Sequence, residues 1–313
     1  MNETSYLQLH LARGIGPTTM RRVLARLGQT DTSLDEFLRL PSAEQVTRFG
    51  LARQQAESLD AARSKVEKTR TELARRGVTL LTRDAPEYPD RLRQRLCDRA
   101  PLLLYTWGNL DLLRERTVGF CGARDASDRG IMVAKDCAIQ ITKWGWVVVS
   151  GGARGVDTAT HRAALETGGA TVIVLPEGIL RYRLRRELAP LISQERVLLI
   201  SEFPASMTWS VANAMQRNRT ICALSEAMVV IESGTSGGTF QAGKMALRLK
   251  TPLFVADYAE PATSAAGNAY FLSHGAHPLR RSVESGQANL KPLRRAVDTR
   301  PEKETVVVQE RLL

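Results

Sequence analysis

Three glycine-rich turns carry the residue types that could hold an anion. They are the segments 122–127 (GARDAS), 150–157 (SGGARGVD) and 233–239 (SGTSGGT). Each follows an apolar run and precedes a predicted helix, so backbone amides and the positive end of a helix dipole would face the same ligand. We assign phosphate contacts to these small residues of the turns: Gly122, Ser150, Gly151, Gly152, Gly155, Ser236, Gly237, Gly238 and Thr239.

Arginines accompany these turns. Arg124 lies in the first turn and Arg154 in the second, where a planar guanidinium can bind a phosphate through two hydrogen bonds. The segment Arg217-Asn218-Arg219 precedes a short apolar helix over 220–224, and there Asn218 could hold a loop carbonyl while an arginine reaches phosphate. An ordinary amphipathic helix start would have the same pattern. The basic run 181–186 is interpreted as a solvated face, although Tyr182 within it offers a ring for stacking.

No constellation of catalytic groups stands out. Asp157 and His161 are four residues apart on one helix face, which fits either an acid–base pair or a structural pair that caps and braces the turn. We favour the structural role, because a hydrolase needs a nucleophile or a second carboxylate and Glu177 stands alone. We therefore predict a protein without catalytic residues.

The sequence also argues against bound cofactors and metals. No turn has the GxGxxG spacing of dinucleotide sites or the Gly-Lys-Ser/Thr ending of ATP sites. The four cysteines show no metal-ligand spacing and fit reduced thiols. No apolar run approaches a membrane span, and no signal peptide is recognisable. We expect a cytoplasmic protein with no cofactor, no metal and no membrane contact.

The elements that would position the turns form an α/β pattern. Strands are predicted at 78–81, 117–121, 146–150, 170–175, 196–202, 228–232 and 252–256, and the apolar run 102–105 is expected to extend the edge of the same domain. Helices are predicted at 130–144, 157–167, 181–194, 209–226 and 238–249. Short apolar strands alternating with helices indicate a parallel sheet covered on both faces. The strand-to-helix turns would then meet at one edge, where ligands of such sheets bind.

Two further segments flank this pattern. Residues 1–76 have helical spacing and predict a small all-α domain, in which the turn 14–18 (GIGPT) fits either a helix-hairpin-helix or a plain interhelical turn. Residues 77–282 form the predicted parallel α/β domain, and 283–313 are predicted to be a charged, loosely ordered tail. The net charge of +11 favours a polyanionic partner, and nucleic acid is the commonest in a cytoplasm.

The order of the motifs resembles the DNA-processing-protein-A (DprA/Smf) family. The resemblance rests on Gly122 to Arg124, Ser150 to His161, Arg217 to Arg219 and the turn 233–239. It implies an extended Rossmann fold behind a SAM-like helical domain, a basic pocket for single-stranded DNA, a homodimer, and loading of a RecA-type recombinase in natural transformation or recombination. The pocket arginines would be Arg124, Arg154 and Arg219.

The chain also departs from that family's pattern. Residues 213–216 (NAMQ) stand where the family has Phe-Pro before Arg-Asn-Arg, and 175–178 (LPEG) stand where it has a Gly-Cys-Gly-like turn. We expect the winged-helix domain that many members carry at the C-terminus to be missing. We therefore keep a divergent family member that acts in phage defence as an alternative interpretation.

Two other functions remain as alternatives. Residues 236–239 (SGGT) resemble the signature of the lysine-decarboxylase-like nucleotide phosphoribohydrolases, but Ala242 replaces their catalytic glutamate. The second alternative is a module that senses a free nucleotide and signals through its helical domain. The charge of +11 favours a polymer over a mononucleotide, because one nucleotide cannot use so many positive groups.

Overall fold

The N-terminal part of the chain is entirely helical, as its spacing predicts. The computed structural model describes residues 3–299. The first helices are α1 (Glu3–Leu11), α2 (Pro17–Thr30), α3 (Leu34–Arg39), α4 (Ser42–Phe49) and α5 (Arg53–Arg75). At the start of α3, Ser33 and Glu36 form a capping box that satisfies two free backbone amides. Tyr6, Phe37 and Leu59 are fully buried between these helices and one face of the sheet that follows.

A nine-stranded sheet forms the centre of the molecule, and its α/β class is the one that the sequence predicts. The strands are β1 (Thr79–Thr82), β2 (Leu103–Gly108), β3 (Thr117–Cys121), β4 (Val147–Ser150), β5 (Thr171–Leu175), β6 (Val197–Ser201), β7 (Ala227–Val230), β8 (Leu253–Ala256) and β9 (His277–Leu279). Their spatial order is β1-β2-β6-β5-β4-β3-β7-β8-β9. In this spatial order, all neighbouring strands from β6 to β9 pair in parallel, whereas the pairs β1–β2 and β2–β6 are antiparallel.

The order of the strands places a crevice at β3. From this central strand the chain winds towards β4 on one side and later returns to β7 on the other. The loops that follow β3 and its neighbours therefore diverge at their carboxyl ends, which leaves room for a ligand.

Helices cover both faces of the sheet. The remaining helices are α6 (Asp90–Leu96), α7 (Asp128–Lys143), α8 (Val156–Glu166), α9 (Val211–Leu224), α10 (Gly237–Arg248), α11 (Asn268–Ser273) and α12 (Lys291–Asp298). One apolar layer includes Ile221 of α9 and Phe271 of α11, and the opposite layer includes Ala138 of α7 and Leu293 of α12. Both faces of the parallel strands are thus withdrawn from water, which explains their continuous apolar sequences.

The predicted helix at 181–194 is wrong. This segment is irregular and contains only a short 3₁₀ turn at Ala189–Leu191. Pro190 has no amide hydrogen and disfavours helical geometry at the residue before it. In addition, Arg185 donates from Nε to the carbonyl of Gly152 and so ties the segment to the second glycine turn.

Two other expectations need correction. Arg217-Asn218-Arg219 lie inside α9, within the predicted helix 209–226 and not before a helix over 220–224, because α9 already begins after Ser210, whose hydroxyl accepts from the amide of Asn213. The expectation of a loosely ordered segment from about Ser282 is wrong for the part up to 299, where α12 buries Leu293 and Val297. These two residues are four apart and form one apolar face, which the surrounding charges obscure in the sequence. Residues 300–313 lie outside the described part, and the division into domains near residues 76 and 282 stays a prediction.

Candidate nucleic-acid interface

An arginine-lined cleft of about 440 Å³ opens at the carboxyl ends of β3, β4 and β5. Five arginines line it together with a single carboxylate, Glu177; the arginines are Arg124, Arg154, Arg183, Arg185 and Arg217. Burial raises the pKa of Glu177 above its ordinary value. The cleft is thus strongly positive, and its low-dielectric walls strengthen its attraction for anions.

Arg217 is the most unusual of these side chains. It is only 6% exposed, and its Nε and Nη1 atoms are buried without a hydrogen-bond partner. Burial lowers its pKa, an effect that the nearby Asp157 and Glu202 oppose. An arginine nevertheless stays protonated in a protein. A buried guanidinium with unused donors is costly unless an anion reaches it.

The second glycine turn makes room for this guanidinium. A Cβ atom on Gly151 would lie 1.6 Å from Nη1 of Arg217, so the turn can approach the arginine only because residue 151 lacks a side chain. Gly155 has a φ of 78°, a left-handed conformation that glycine adopts without strain. The glycines therefore shape the cleft, whereas the arginines supply its charge.

The two predicted turn arginines lie at the mouth of the cleft. The guanidinium of Arg124 is 5.8 Å from the ring centre of Trp209. Nη2 of Arg154 lies 2.8 Å from Oδ1 of Asp125, with side chains that are 63% and 75% exposed. Such an exposed ion pair contributes little stability, so a phosphate can displace the carboxylate at small cost.

The basic run 181–186 is only in part a solvated face: Arg181, Arg183 and Arg186 are exposed, whereas Tyr182 and Arg185 are partly buried in the wall of the cleft. Arg183 and Arg185 line the cleft, and Nε of Arg185 donates to the carbonyl of Gly152 at 2.9 Å. The ring of Tyr182 lies against Gly152, and its buried hydroxyl has no partner. Burial raises the pKa of Tyr182 to about 12. The sequence pointed to the ring of Tyr182 but not to Arg183 or Arg185, which were interpreted as part of a solvated helix face.

Asp157 and His161 brace the second turn from behind. Asp157 accepts from the Ser150 hydroxyl at 2.9 Å and from the Ala153 amide at 3.2 Å. The ring of His161 bridges the Thr171 hydroxyl and the Gly151 carbonyl, both at 2.7 Å. Burial lowers the pKa of His161, which favours the neutral ring. Neither residue is among those that line the cleft.

The third glycine turn is connected to the cleft but does not line it. Thr239 donates from its hydroxyl to the carbonyl of Gly122 at 2.9 Å, and Asn218 donates to the carbonyl of Gly238 at 3.0 Å. Asn218 thus ties α9 to the start of α10. Of the predicted phosphate ligands, only Arg124, Gly152, Arg154 and Arg217 line the cleft itself. The other predicted residues belong to the turns or to the helix behind it: Gly122, Ser150, Gly151, Gly155, Asn218, Arg219, Ser236, Gly237, Gly238 and Thr239.

Trp209 is a cleft residue that the sequence analysis missed. Its side chain is 46% exposed and lies directly before the start of α9. An isolated tryptophan outside any glycine turn gives no spacing signal, so only the folded structure brings it to Arg124. Within residues 3–299, no group of three His, Cys, Asp or Glu side chains is arranged to hold a metal ion. The helices of that same range include none with the length and apolar composition of a membrane span.

Comparison with solved structures identifies the fold. The crystal structure of DNA processing protein A from Streptococcus pneumoniae superposes with a TM-score of 0.73, at 23% identity over 89% of this chain and 95% of that one. A structure of DNA processing protein A from Helicobacter pylori, described for its single-stranded DNA binding mode, gives a TM-score of 0.56 at 22% identity over 71% of this chain and 94% of that one.

Sequence comparison reaches the same group of proteins. A putative DNA processing protein DprA of Mycobacterium tuberculosis is 33% identical over 67% of this chain, and the match spans 57% of that relative. DNA processing protein DprA of Streptococcus pneumoniae is 32% identical over 60% of this chain and 65% of its own length. The chain therefore matches less than two thirds of the length of either relative. The model of the family described as DNA recombination-mediator protein A matches residues 79–288. That match takes in the sheet from β1 to β9 and every residue of the arginine-lined cleft, and the chain therefore belongs to this family.

Proposed function

We propose that the protein binds single-stranded DNA in the arginine-lined cleft and catalyses no reaction there. The observation that carries this proposal is Arg217, a buried guanidinium whose Nε and Nη1 have no partner and which faces the cleft. A phosphate oxygen would satisfy those donors and compensate the buried charge. The exposed arginines at the mouth would hold the neighbouring phosphates.

The charge of the cleft suits a polymer. Five arginines and one carboxylate line it, which exceeds what a single phosphate group can use. A single strand can bend its backbone into the cleft and bring successive phosphates to different arginines. A duplex holds its phosphates on a stiff helix and cannot deform locally at similar cost. We therefore propose a preference for single strands with little dependence on base sequence.

We infer the biological role from the family. Its description as a recombination mediator, and the DNA-processing names of the relatives, support a role in natural transformation or recombination. We propose that the protein acts as a homodimer in the cytoplasm, that it protects single strands, and that it loads a RecA-type recombinase on them. Co-sedimentation of a recombinase with the DNA-bound protein, but not with the protein alone, tests the last step.

Fluorescence anisotropy tests the DNA proposal directly. The protein is titrated into a labelled oligothymidine and into a duplex of equal length at several salt concentrations. Binding to the single strand should be tighter than binding to the duplex. The logarithm of its association constant should fall linearly with the logarithm of the salt concentration, because the bound phosphates release counterions. Tighter binding to the duplex, or an affinity independent of salt, would contradict the proposal.

A second candidate function rests on Glu177. It is a carboxylate in the cleft with a raised pKa, and perturbed carboxylates are common in active sites. A nucleotide phosphoribohydrolase would use it to release free base from nucleoside monophosphates. Incubation with the common monophosphates followed by chromatography distinguishes the two functions. Free base that disappears in Glu177→Gln would establish the enzyme; no free base in the wild type would leave the binding role.

A further inference from the structure

Exposed apolar side chains are concentrated beside the cleft. Among residues 3–299, six large apolar side chains are exposed, and four of them lie within residues 207–215. They are Met207, Trp209, Val211 and Met215, with exposures of 38%, 46%, 63% and 43%. We call these four residues the apolar rim. Single exposed apolar residues are ordinary on a protein surface, but a contiguous group of them marks a binding surface.

The backbone of the apolar rim is fixed by hydrogen bonds. The amide of Met207 donates to the Pro204 carbonyl at 2.8 Å, and its own carbonyl accepts from the Gly178 amide at 2.9 Å. Ser210 caps α9, on which Val211 and Met215 are one turn apart and share a face. The side chains are therefore held in place without cover, so their exposure is built into the fold.

The apolar rim is continuous with the arginine-lined cleft. Trp209 itself lines the cleft, and its ring centre is 5.8 Å from the Arg124 guanidinium. Ala214, on the same helix as Val211 and Met215, lines it as well. A ligand whose anionic groups reach Arg124 would thus bring its adjoining groups onto the tryptophan ring and the methionines.

We propose that the apolar rim binds the unpaired bases of the strand whose phosphates occupy the cleft. This inference rests on the proposed function and adds the second half of the ligand. A nucleic acid strand carries one base, with a flat face that can stack, for each phosphate of its backbone, which matches arginines beside an exposed aromatic ring. Any base can stack on such a ring, so the contact tolerates every sequence. Bases of a duplex are already paired and stacked, so the rim favours single strands.

The test compares an oligothymidine with an abasic oligomer of the same length and phosphate number. The wild type should bind the oligothymidine about 5- to 150-fold more tightly, the range expected for loss of one stacked base. Trp209→Ala should lose most of this preference, while its affinity for the abasic oligomer should stay that of the wild type. Its dependence on salt should stay unchanged, because the tryptophan contacts no phosphate.

Matched variants separate stacking from indirect effects. Trp209→Phe retains an aromatic ring and should keep most of the preference for oligothymidine. Met215→Ala should lose part of it, whereas Met132→Ala, which shortens a methionine that is 63% exposed outside the rim, should lose none. Tryptophan fluorescence gives a second readout: oligothymidine should quench the wild type more than Trp209→Phe, because Trp209 is the most exposed of the four tryptophans.

Three outcomes would overturn the inference, and each is distinct. Equal wild-type affinity for both oligomers, with a steep salt dependence, would leave phosphate binding intact but remove any role for bases. Equal weakening of both oligomers by Trp209→Ala would mean that the ring acts only through Arg124. A change of molar mass in Trp209→Ala by light scattering would identify the rim as a surface between copies of the chain. Failure of both oligomers to bind would instead reject the proposed function together with this inference.

Discussion

Arginines in the same cleft are held in three different ways. Arg217 is buried and has unused donors, Arg185 is fixed to the Gly152 carbonyl, and Arg154 is paired with exposed Asp125. A buried donor without a partner gains most from a phosphate, because the ligand removes a standing cost. An exposed arginine must first leave water or its carboxylate partner. The contributions to DNA binding should therefore increase with burial.

Arg124→Ala should weaken oligothymidine binding by roughly 1.5–3 kcal/mol, the value of a hydrogen bond to a charged group. Arg154→Ala should lie at the lower end of that range, because the wild-type arginine gives up its pair with Asp125. Anisotropy titrations measure both losses. Arg114→Ala is the matched control: it removes an arginine that is 68% exposed before the amino end of β3, away from the cleft. An equal loss in the control would indicate that only net charge matters.

Two buried histidines predict how stability depends on pH. Burial lowers the pKa of His10 to about 4 and also lowers that of His161, whereas an unfolded histidine titrates near 6.5. At a pH between the folded and unfolded pKa values, the histidines are protonated in the unfolded chain but neutral in the folded one. The free energy of unfolding should therefore be highest above about pH 6.5, where this contribution is completely present. It should fall towards pH 4, by about 3 kcal/mol for His10 alone.

Urea denaturation across that window measures the fall. His10→Gln should reduce the pH dependence even if it lowers stability at neutral pH. A free energy of unfolding that stays constant from neutral pH to about pH 4.5 would contradict the assigned pKa directions.

At the scale of elements, the second glycine turn depends on the absence of a side chain at residue 151. Gly151→Ala should push the Arg217 guanidinium from its place, because the added Cβ would lie 1.6 Å from Nη1. We expect oligothymidine affinity to fall by at least about tenfold, as for loss of a charged contact. Gly28→Ala is the control, since a Cβ there meets nothing within 4 Å. Unchanged affinity in Gly151→Ala would show that the turn does not position Arg217.

The elements themselves were predictable to different degrees. The strands β3 to β8 follow from short apolar runs such as 147–150 (VVVS), because both faces of a parallel sheet are buried and their sequence is uniformly apolar. The segment 181–194 misled the sequence analysis, since its fold depends on contacts such as Arg185 to Gly152 that are distant along the chain. Helix α12 was missed because two apolar residues in a charged segment give too weak a periodicity.

The residues of the cleft were also only partly predictable from the sequence. Arg124 and Arg154 could be found because they stand in glycine turns directly after strands, where the fold class places a ligand. Trp209 and Arg183 could not, because they lie in loops whose path depends on tertiary contacts. Arg217 was predicted to contact phosphate, but its burial was not predicted. The helix that contains it also has exposed positions, so the sequence does not show which side chains are buried.

At the scale of the molecule, the proposed homodimer predicts a mass. Light scattering at micromolar concentration should give twice the 34.6 kDa of one chain. The same measurement with Trp209→Ala separates this interface from the apolar rim, since the rim is assigned to DNA. A mass of 34.6 kDa for the wild type would contradict the dimer.

We propose that the unused donors of buried Arg217 serve the ligand and not the fold. Arg217→Met separates these two roles, because methionine fills a similar space without charge and is readily accommodated in cores. The Nε and Nη1 atoms of Arg217 are buried without hydrogen-bond partners, and replacing the guanidinium by an apolar group relieves that cost. Arg217→Met should keep or raise the free energy of unfolding in urea, while its oligothymidine affinity should fall at least about tenfold. If the variant instead lost stability but bound the strand like the wild type, Arg217 would support the fold and not the ligand.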